Sequence, residues 1–137
     1  MNPDFKDKYL ELQMLNQEIK QLQQQFENAE KQLEELNKLD EVLDDFAKVK
    51  AGSETLSAIG SGIFAKTEIK NTKEILMAVG ANIYVTKPIG DAKEFIAAQI
   101  KEVQDVTHQI ENAVSDAICS AQGLQEELQA EAKKKKK

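Results

Sequence analysis

The sequence has few of the residues that build compact or disulfide-linked domains. It contains one cysteine, no tryptophan and two prolines, and aromatic residues make up 5% of its 137 residues. One cysteine excludes a disulfide within the chain and favours a reducing compartment. No apolar run approaches the roughly 20 residues needed to cross a bilayer, and no apolar leader opens the chain. We therefore expect a soluble, cytoplasmic protein with one domain.

The sequence also lacks the motifs of catalytic and metal sites. His108 is the sole histidine and is predicted to be solvated, and Cys119 borders an apolar stripe and is expected to pack there. One histidine and one cysteine cannot form a zinc site within the chain, and neither has a partner suited to nucleophilic catalysis. The stretch "GSGIFAK" has the wrong spacing for a phosphate-binding loop. We expect no enzymatic activity, no catalytic residue, no metal and no cofactor.

The charge is unevenly distributed. The formal net charge is −6, and five of the 18 basic residues form the terminal run 133–137. The rest of the chain is therefore strongly acidic, which argues against a nucleic-acid surface because phosphates would be repelled. We interpret the lysine run as a solubilising tail outside a single domain of residues 1–132.

Heptad spacing predicts that the first part of the chain is a coiled-coil helix over 3–51. Asn2 suits an N-terminal cap, Pro3 suits the first helical position, and Gly52 suits a stop. Mostly apolar residues recur at the a and d positions of about five heptads. The a positions are Phe5, Leu12, Ile19, Phe26, Leu33 and Asp40, and the d positions are Lys8, Leu15, Leu22, Ala29, Leu36 and Leu43.

A second helix is predicted over 91–132. Asp91 and Glu94 have the spacing of a capping box. The apolar stripe that follows comprises Phe95/Ile96, Ile100, Val103, Val106, Ile110, Ala113/Val114, Ala117/Ile118, Ala121, Leu124 and Leu128. Gly123 lies within it and weakens the last turns. The two helices have similar lengths, so we expect them to pair antiparallel and bring both chain ends to one tip.

Between the helices, residues 53–87 alternate like β-structure. Four strands are predicted at about 54–59, 62–70, 73–79 and 82–87, separated by the turn sequences "IGSG", "KNTK" and "VGAN". The predicted fold is α+β: a long antiparallel two-helix coiled coil with two β-hairpins inserted between the helices. Short hairpins are marginal alone and have open edges, so we expect them to complete their core with other chains. The predicted assembly residues are Ile63, Phe64, Ile69, Ile75, Met77, Val79, Ile83 and Val85, with a core inside one chain as the alternative.

The stretch "GSETLSAIGSGIFAKTEIKNTKEILMAVGANIYVTKPIGDAKEF" resembles the central segment of the α-type subunit of prefoldin. Glycine-punctuated strand pairs followed by an acidic start to the second helix are typical of that family. The α type carries two hairpins and the β type one, so four strands favour α. One departure is Ala58, which stands where family members commonly have proline. The resemblance covers nearly the whole chain.

The resemblance implies a hexamer of two α and four β subunits joined through the hairpins. It also implies ATP-independent holding of unfolded client proteins at coiled-coil tips and their delivery to a group II chaperonin. The predicted tip residues, which in the alternative merely complete the coiled coil, are Phe5, Tyr9, Leu10, Leu12, Met14, Leu124 and Leu128.

Two other functions remain open from the sequence. A structural coiled-coil protein that only oligomerises or scaffolds would explain the heptads, but it leaves the β segment without a role. An adaptor that binds nucleic acid through the lysine tail would show steep salt dependence. The tail could also contact an acidic chaperonin surface.

Overall fold

The computed structural model describes residues 3–135. Asn2, the predicted helix cap, and the tail residues Lys136 and Lys137 lie outside them. The elements in chain order are α1 (Pro3–Lys48), β1 (Glu54–Gly60), β2 (Ile63–Glu68), β3 (Glu74–Gly80), β4 (Ile83–Pro88) and α2 (Ile89–Lys135). Strands β1 and β2 form one antiparallel hairpin, and β3 and β4 form a second. The predicted α+β fold, with two hairpins between two long helices, is confirmed.

The helix ends differ from the predicted ones. Helix α1 ends at Lys48, before the predicted stop at Gly52, whose φ of 90° places it in the loop. Helix α2 begins at Ile89, so Asp91 is not its cap but an acidic residue of its first turn, near the positive end of the helix dipole. The Ile89 N–H donates instead to the Lys73 carbonyl at 3.0 Å. At the other end α2 continues to Lys135, into the run predicted as a separate tail.

Burial along α1 follows the heptads. Between Pro3 and Leu43, the buried or half-buried residues are the twelve predicted a and d positions and no others. Helix α2 departs from its predicted stripe at three places, since Phe95, Val106 and Ile118 are exposed. Thr107, half-buried, takes the inward position expected for Val106, and its hydroxyl donates to the Val103 carbonyl at 2.8 Å. A backbone partner within the helix makes a threonine acceptable there.

The chain divides into two compact units. The first comprises residues 3–33 of α1 and 102–135 of α2, which run antiparallel. Its buried apolar residues include Ala29, Ile110, Ala117, Ala121 and Leu128.

The tip is defined here as the end of this unit at which α1 begins and α2 ends. Lys8 occupies a d position at the tip. Its Nζ lies 3.0 Å from Glu131 Oε1 and 3.4 Å from Glu127 Oε2, so an ion pair links the two helices at the one charged a or d position that α1 has between residues 3 and 33.

The second unit, Glu34–Lys101, contains both hairpins and the helix ends that carry them. Its core consists of Leu43, Ile89, Ala92 and Ile96, and Ile75 and Met77 of β3 pack against it. Backbone hydrogen bonds fasten the first hairpin to the loop after α1, from Gly52 N to Ile69 O (2.6 Å) and from Ile69 N to Ser53 O (3.0 Å). Lys93 of α2 pairs with Asp44 of α1 in the same unit.

Candidate assembly and client-binding surfaces

The two hairpins are repeats of one another, offset by twenty residues. Residues 54–68 and 74–88 have the same strand pairing, from Glu54 opposite Glu68 and Glu74 opposite Pro88 to glycine opposite isoleucine at the turn. Each carries its register shift at the same place, just before the turn. Both turns have two central residues at positive φ, Ser61-Gly62 and Ala81-Asn82, which is the conformation that matches the twist of a tight hairpin.

The exposed apolar side chains of the hairpins obey the same repeat. Eight large apolar residues in the hairpins are 58% to 71% exposed. They form four equivalent pairs: Leu56 and Leu76, Ile59 and Val79, Ile63 and Ile83, Phe64 and Tyr84. In each hairpin the aromatic residue stands opposite an alanine, Ala58 or Ala78, with the leucine two residues before that alanine. By strand alternation Leu56 and Phe64 share one side of the first hairpin, and Leu76 and Tyr84 share the equivalent side of the second; this side is here called the hairpin face. Ile63 and Ile83 immediately precede the aromatic residues and therefore point to the opposite side, next to the turn.

The opposite sides of the hairpins differ. In the second hairpin this side carries Ile75 and Met77, which pack on the core of their own unit. In the first hairpin the equivalent residues are Thr55 and Ser57. Here the Ser57 and Thr67 hydroxyl oxygens lie 2.8 Å apart, within hydrogen-bonding distance, and exposed to solvent. Away from the turns, this side is therefore mainly polar in the first hairpin and apolar in the second.

The predicted assembly residues fall into two groups. Ile63, Phe64, Val79 and Ile83 are exposed and available to a partner, whereas Ile69, Ile75, Met77 and Val85 are half-buried. Four exposed residues were absent from the prediction: Leu56, Ile59, Leu76 and Tyr84. The twenty-residue repeat in the sequence would have identified them, because each has an apolar counterpart in the other hairpin.

The tip residues also fall into two groups. Phe5, Leu12 and Leu124 are half-buried and Leu128 is buried, in line with the seam. Tyr9, Leu10 and Met14 point away from the seam and are 47% to 70% exposed. Leu10 and Met14 are four residues apart and so lie on the same helix face. From residue 16 to residue 33, all positions of α1 outside the seam carry Gln, Glu, Asn or Lys, so this apolar patch is confined to the first turns.

His108 and Cys119 are both surface residues. His108 Nδ1 lies 3.4 Å from Glu111 Oε2 on the same helix, and both side chains are largely exposed. Cys119 is a free, exposed thiol, so the expectation that it packs in the stripe is wrong. Among the described residues, no group of histidine, cysteine and carboxylate side chains is arranged to hold a metal ion. Neither helix has an apolar stretch long enough to cross a bilayer within residues 3–135.

Comparison with known proteins assigns the chain to one family. Residues 15–134 match the family model described as "Prefoldin subunit". A curated relative, "Prefoldin subunit alpha" of Archaeoglobus fulgidus, is 29% identical over 131 residues, covering 96% of each chain. The fold is similar to that in a cryo-EM structure of filamentous PFD from Methanocaldococcus jannaschii, with a TM-score of 0.75 and 17% identity over 84% of this chain and 95% of that one.

Proposed function

Because the chain belongs to the prefoldin subunit family, we propose that it is the α-type subunit of an ATP-independent holdase that binds non-native polypeptide at the tip and assembles through both hairpin faces. The resemblance to the α type is confirmed by the relative of that type. A prefoldin subunit acts as a chaperone and not as an enzyme. The subunit works in the cytoplasm, where its single thiol remains reduced.

One observation carries the holdase proposal: large apolar side chains of α1 are exposed at the tip and nowhere else up to residue 33. Tyr9, Leu10 and Met14 offer an aromatic ring, a branched chain and a flexible thioether. Such a surface adapts to many apolar segments without selecting one. Each contact is weak, so several tips acting on one client gain affinity through effective concentration.

The hairpin faces support assembly with other prefoldin subunits. Eight large, exposed apolar side chains in two equivalent hairpins are typical of surfaces that another protein covers. We propose that β-type subunits cover them, in a hexamer with two copies of this chain and four of the β type, which passes its client to a group II chaperonin. The competing arrangement is self-assembly, because two equivalent faces also permit open-ended chains of one subunit.

The experiment for the holdase proposal removes the exposed apolar tip and leaves the seam intact. The variant Tyr9→Ser, Leu10→Ser, Met14→Ser, assembled with β-type subunits, is compared with Leu39→Ser, Val42→Ser. The latter removes exposed apolar groups from α1 in the second unit. We expect the tip variant to lose at least fivefold in suppressing aggregation of a denatured globular protein, and the control to retain it. Equal suppression by both variants, with an unchanged oligomer mass, would contradict binding at the tip.

A further inference from the structure

The first unit also contains an apolar groove that neither the tip nor the hairpin faces explain. It lies along one flank of the helix pair and has a volume of about 730 Å³, which is in the range of ligand-binding clefts. Phe26 and Val114, both half-buried, contribute apolar surface from the seam. Ile118 is 37% exposed beside them, and the Cys119 thiol lies at the edge.

The groove is bordered by acidic side chains. Glu27 and Glu30 of α1 and Glu111 of α2 line it, and the lining includes no lysine. Within the described residues, Glu27 and Glu30 form no ion pair, and Glu111 has only the His108 imidazole nearby. Three carboxylates around an apolar surface favour a cationic partner and repel an acidic one. The apolar surface in turn favours a partner that adds a large hydrophobic side chain to its positive charges.

From these two properties we propose that the groove binds a basic amphipathic segment of a non-native polypeptide. An apolar side chain of the segment occupies the surface formed by Phe26, Val114 and Ile118, and its lysine or arginine side chains pair with the carboxylates. The lysine run of a second copy satisfies the charges but not the apolar surface, because the apolar residues before it are the small Ala130 and Ala132 and the already buried Leu128. The inference rests on the proposed holdase function for the identity of the partner and not for the existence of the site.

Cys119 supplies a built-in reporter, because it is the sole cysteine and lies at the groove. The full chain is alkylated with iodoacetamide, and the rate is followed by mass spectrometry with and without a synthetic Lys/Leu amphipathic peptide. Comparison peptides are oligolysine and a Glu/Leu version of the same length. We expect the Lys/Leu peptide to slow alkylation at least fivefold and the other two to have little effect. Equal protection by oligolysine, or no protection by the Lys/Leu peptide, would overturn the proposal.

Charge-neutralising variants test whether the three carboxylates that line the groove bind the peptide. Glu27→Gln, Glu30→Gln, Glu111→Gln should weaken peptide binding about tenfold, measured by fluorescence anisotropy of a labelled peptide. Glu11→Gln, Glu18→Gln, Glu102→Gln changes net charge equally outside the groove and should retain affinity. Equal loss of affinity in both variants would indicate non-specific attraction and overturn the proposal.

The tip variant Tyr9→Ser, Leu10→Ser, Met14→Ser separates this test from the test of the holdase function. It should lose aggregation suppression and keep the protection of Cys119 by the peptide.

Discussion

The two hairpins have the same strand pairing but differ in what covers one of their two sides. In both, the hairpin face is apolar and exposed within the chain. On the other side, Ile75 and Met77 pack the second hairpin on the core of its own unit, whereas the equivalent Thr55 and Ser57 of the first hairpin are polar and exposed. The residues at these equivalent positions thus decide whether a hairpin packs against the core of its own chain. The side that both hairpins share is the exposed apolar face that we propose as an assembly surface.

The largest expected effect on stability comes from placing a charge on the covered side of the second hairpin, with the equivalent position of the first hairpin as the control. Met77→Asp puts a carboxylate against the apolar core of the second unit, where it is partly desolvated, so we expect a loss of about 3 kcal/mol in the free energy of unfolding. Ser57→Asp, at the equivalent exposed position, should change it by less than about 0.5 kcal/mol. Urea denaturation followed by circular dichroism at one protein concentration measures both. Equal losses would mean that the two hairpins are held in the same way.

A smaller effect is expected at the turns, where the hairpins are alike. Gly62 (φ 79°) and Asn82 (φ 61°) occupy the same turn position in the left-handed region. Alanine at either position should destabilise its hairpin by about 1 kcal/mol, through the backbone penalty alone at Gly62, where an added Cβ meets no atom within 4 Å. Hydrogen exchange of the strand amides measures each hairpin separately. Loss of protection in both hairpins from one substitution would show that they open together.

The smallest effect concerns the ion pair beneath the hairpins. The hydrogen bond to Asp44 raises the pKa of Lys93 above its ordinary 10.5, against a smaller opposing desolvation. A raised folded-state pKa contributes stability that is complete below the unfolded pKa and is lost as pH rises through the folded value. Asp44→Asn should therefore lower the melting temperature slightly at pH 8, and the difference should shrink as pH rises above 10.5 through the raised pKa of Lys93. A pH-independent difference would mean that Asp44 acts through packing and not through charge.

The sequence predicts some of these features better than others. All twelve inward positions of α1 followed from the heptads, because an antiparallel helix pair buries one stripe and leaves the rest in water. In α2 hydrophobicity favoured Val106, yet the spacing from Val103 to Ile110 places Thr107 inward. Alternation along the strands separated two sides of each hairpin but could not identify the covered one, because that depends on where the helices pass.

The exposed residues of the tip could be predicted from the sequence, whereas the groove could not. Tyr9, Leu10 and Met14 could be named from the sequence because they interrupt a polar helix surface. The groove could not, because Glu27 of α1 and Glu111 of α2 come together only when the helices pair in one register. Lys8, an exception at a d position in the sequence, helps to set that register through Glu127 and Glu131.

Native mass spectrometry of the chain mixed with β-type prefoldin subunits tests the central claim, that both hairpin faces are assembly surfaces. The unmodified chain should form one particle of six chains with two copies of this one. Phe64→Asp or Tyr84→Asp alone should give smaller complexes, and the two together should give a folded chain that binds no partner. A double variant that still forms the six-chain particle would contradict the claim, because the hairpin faces would then be exposed without a partner.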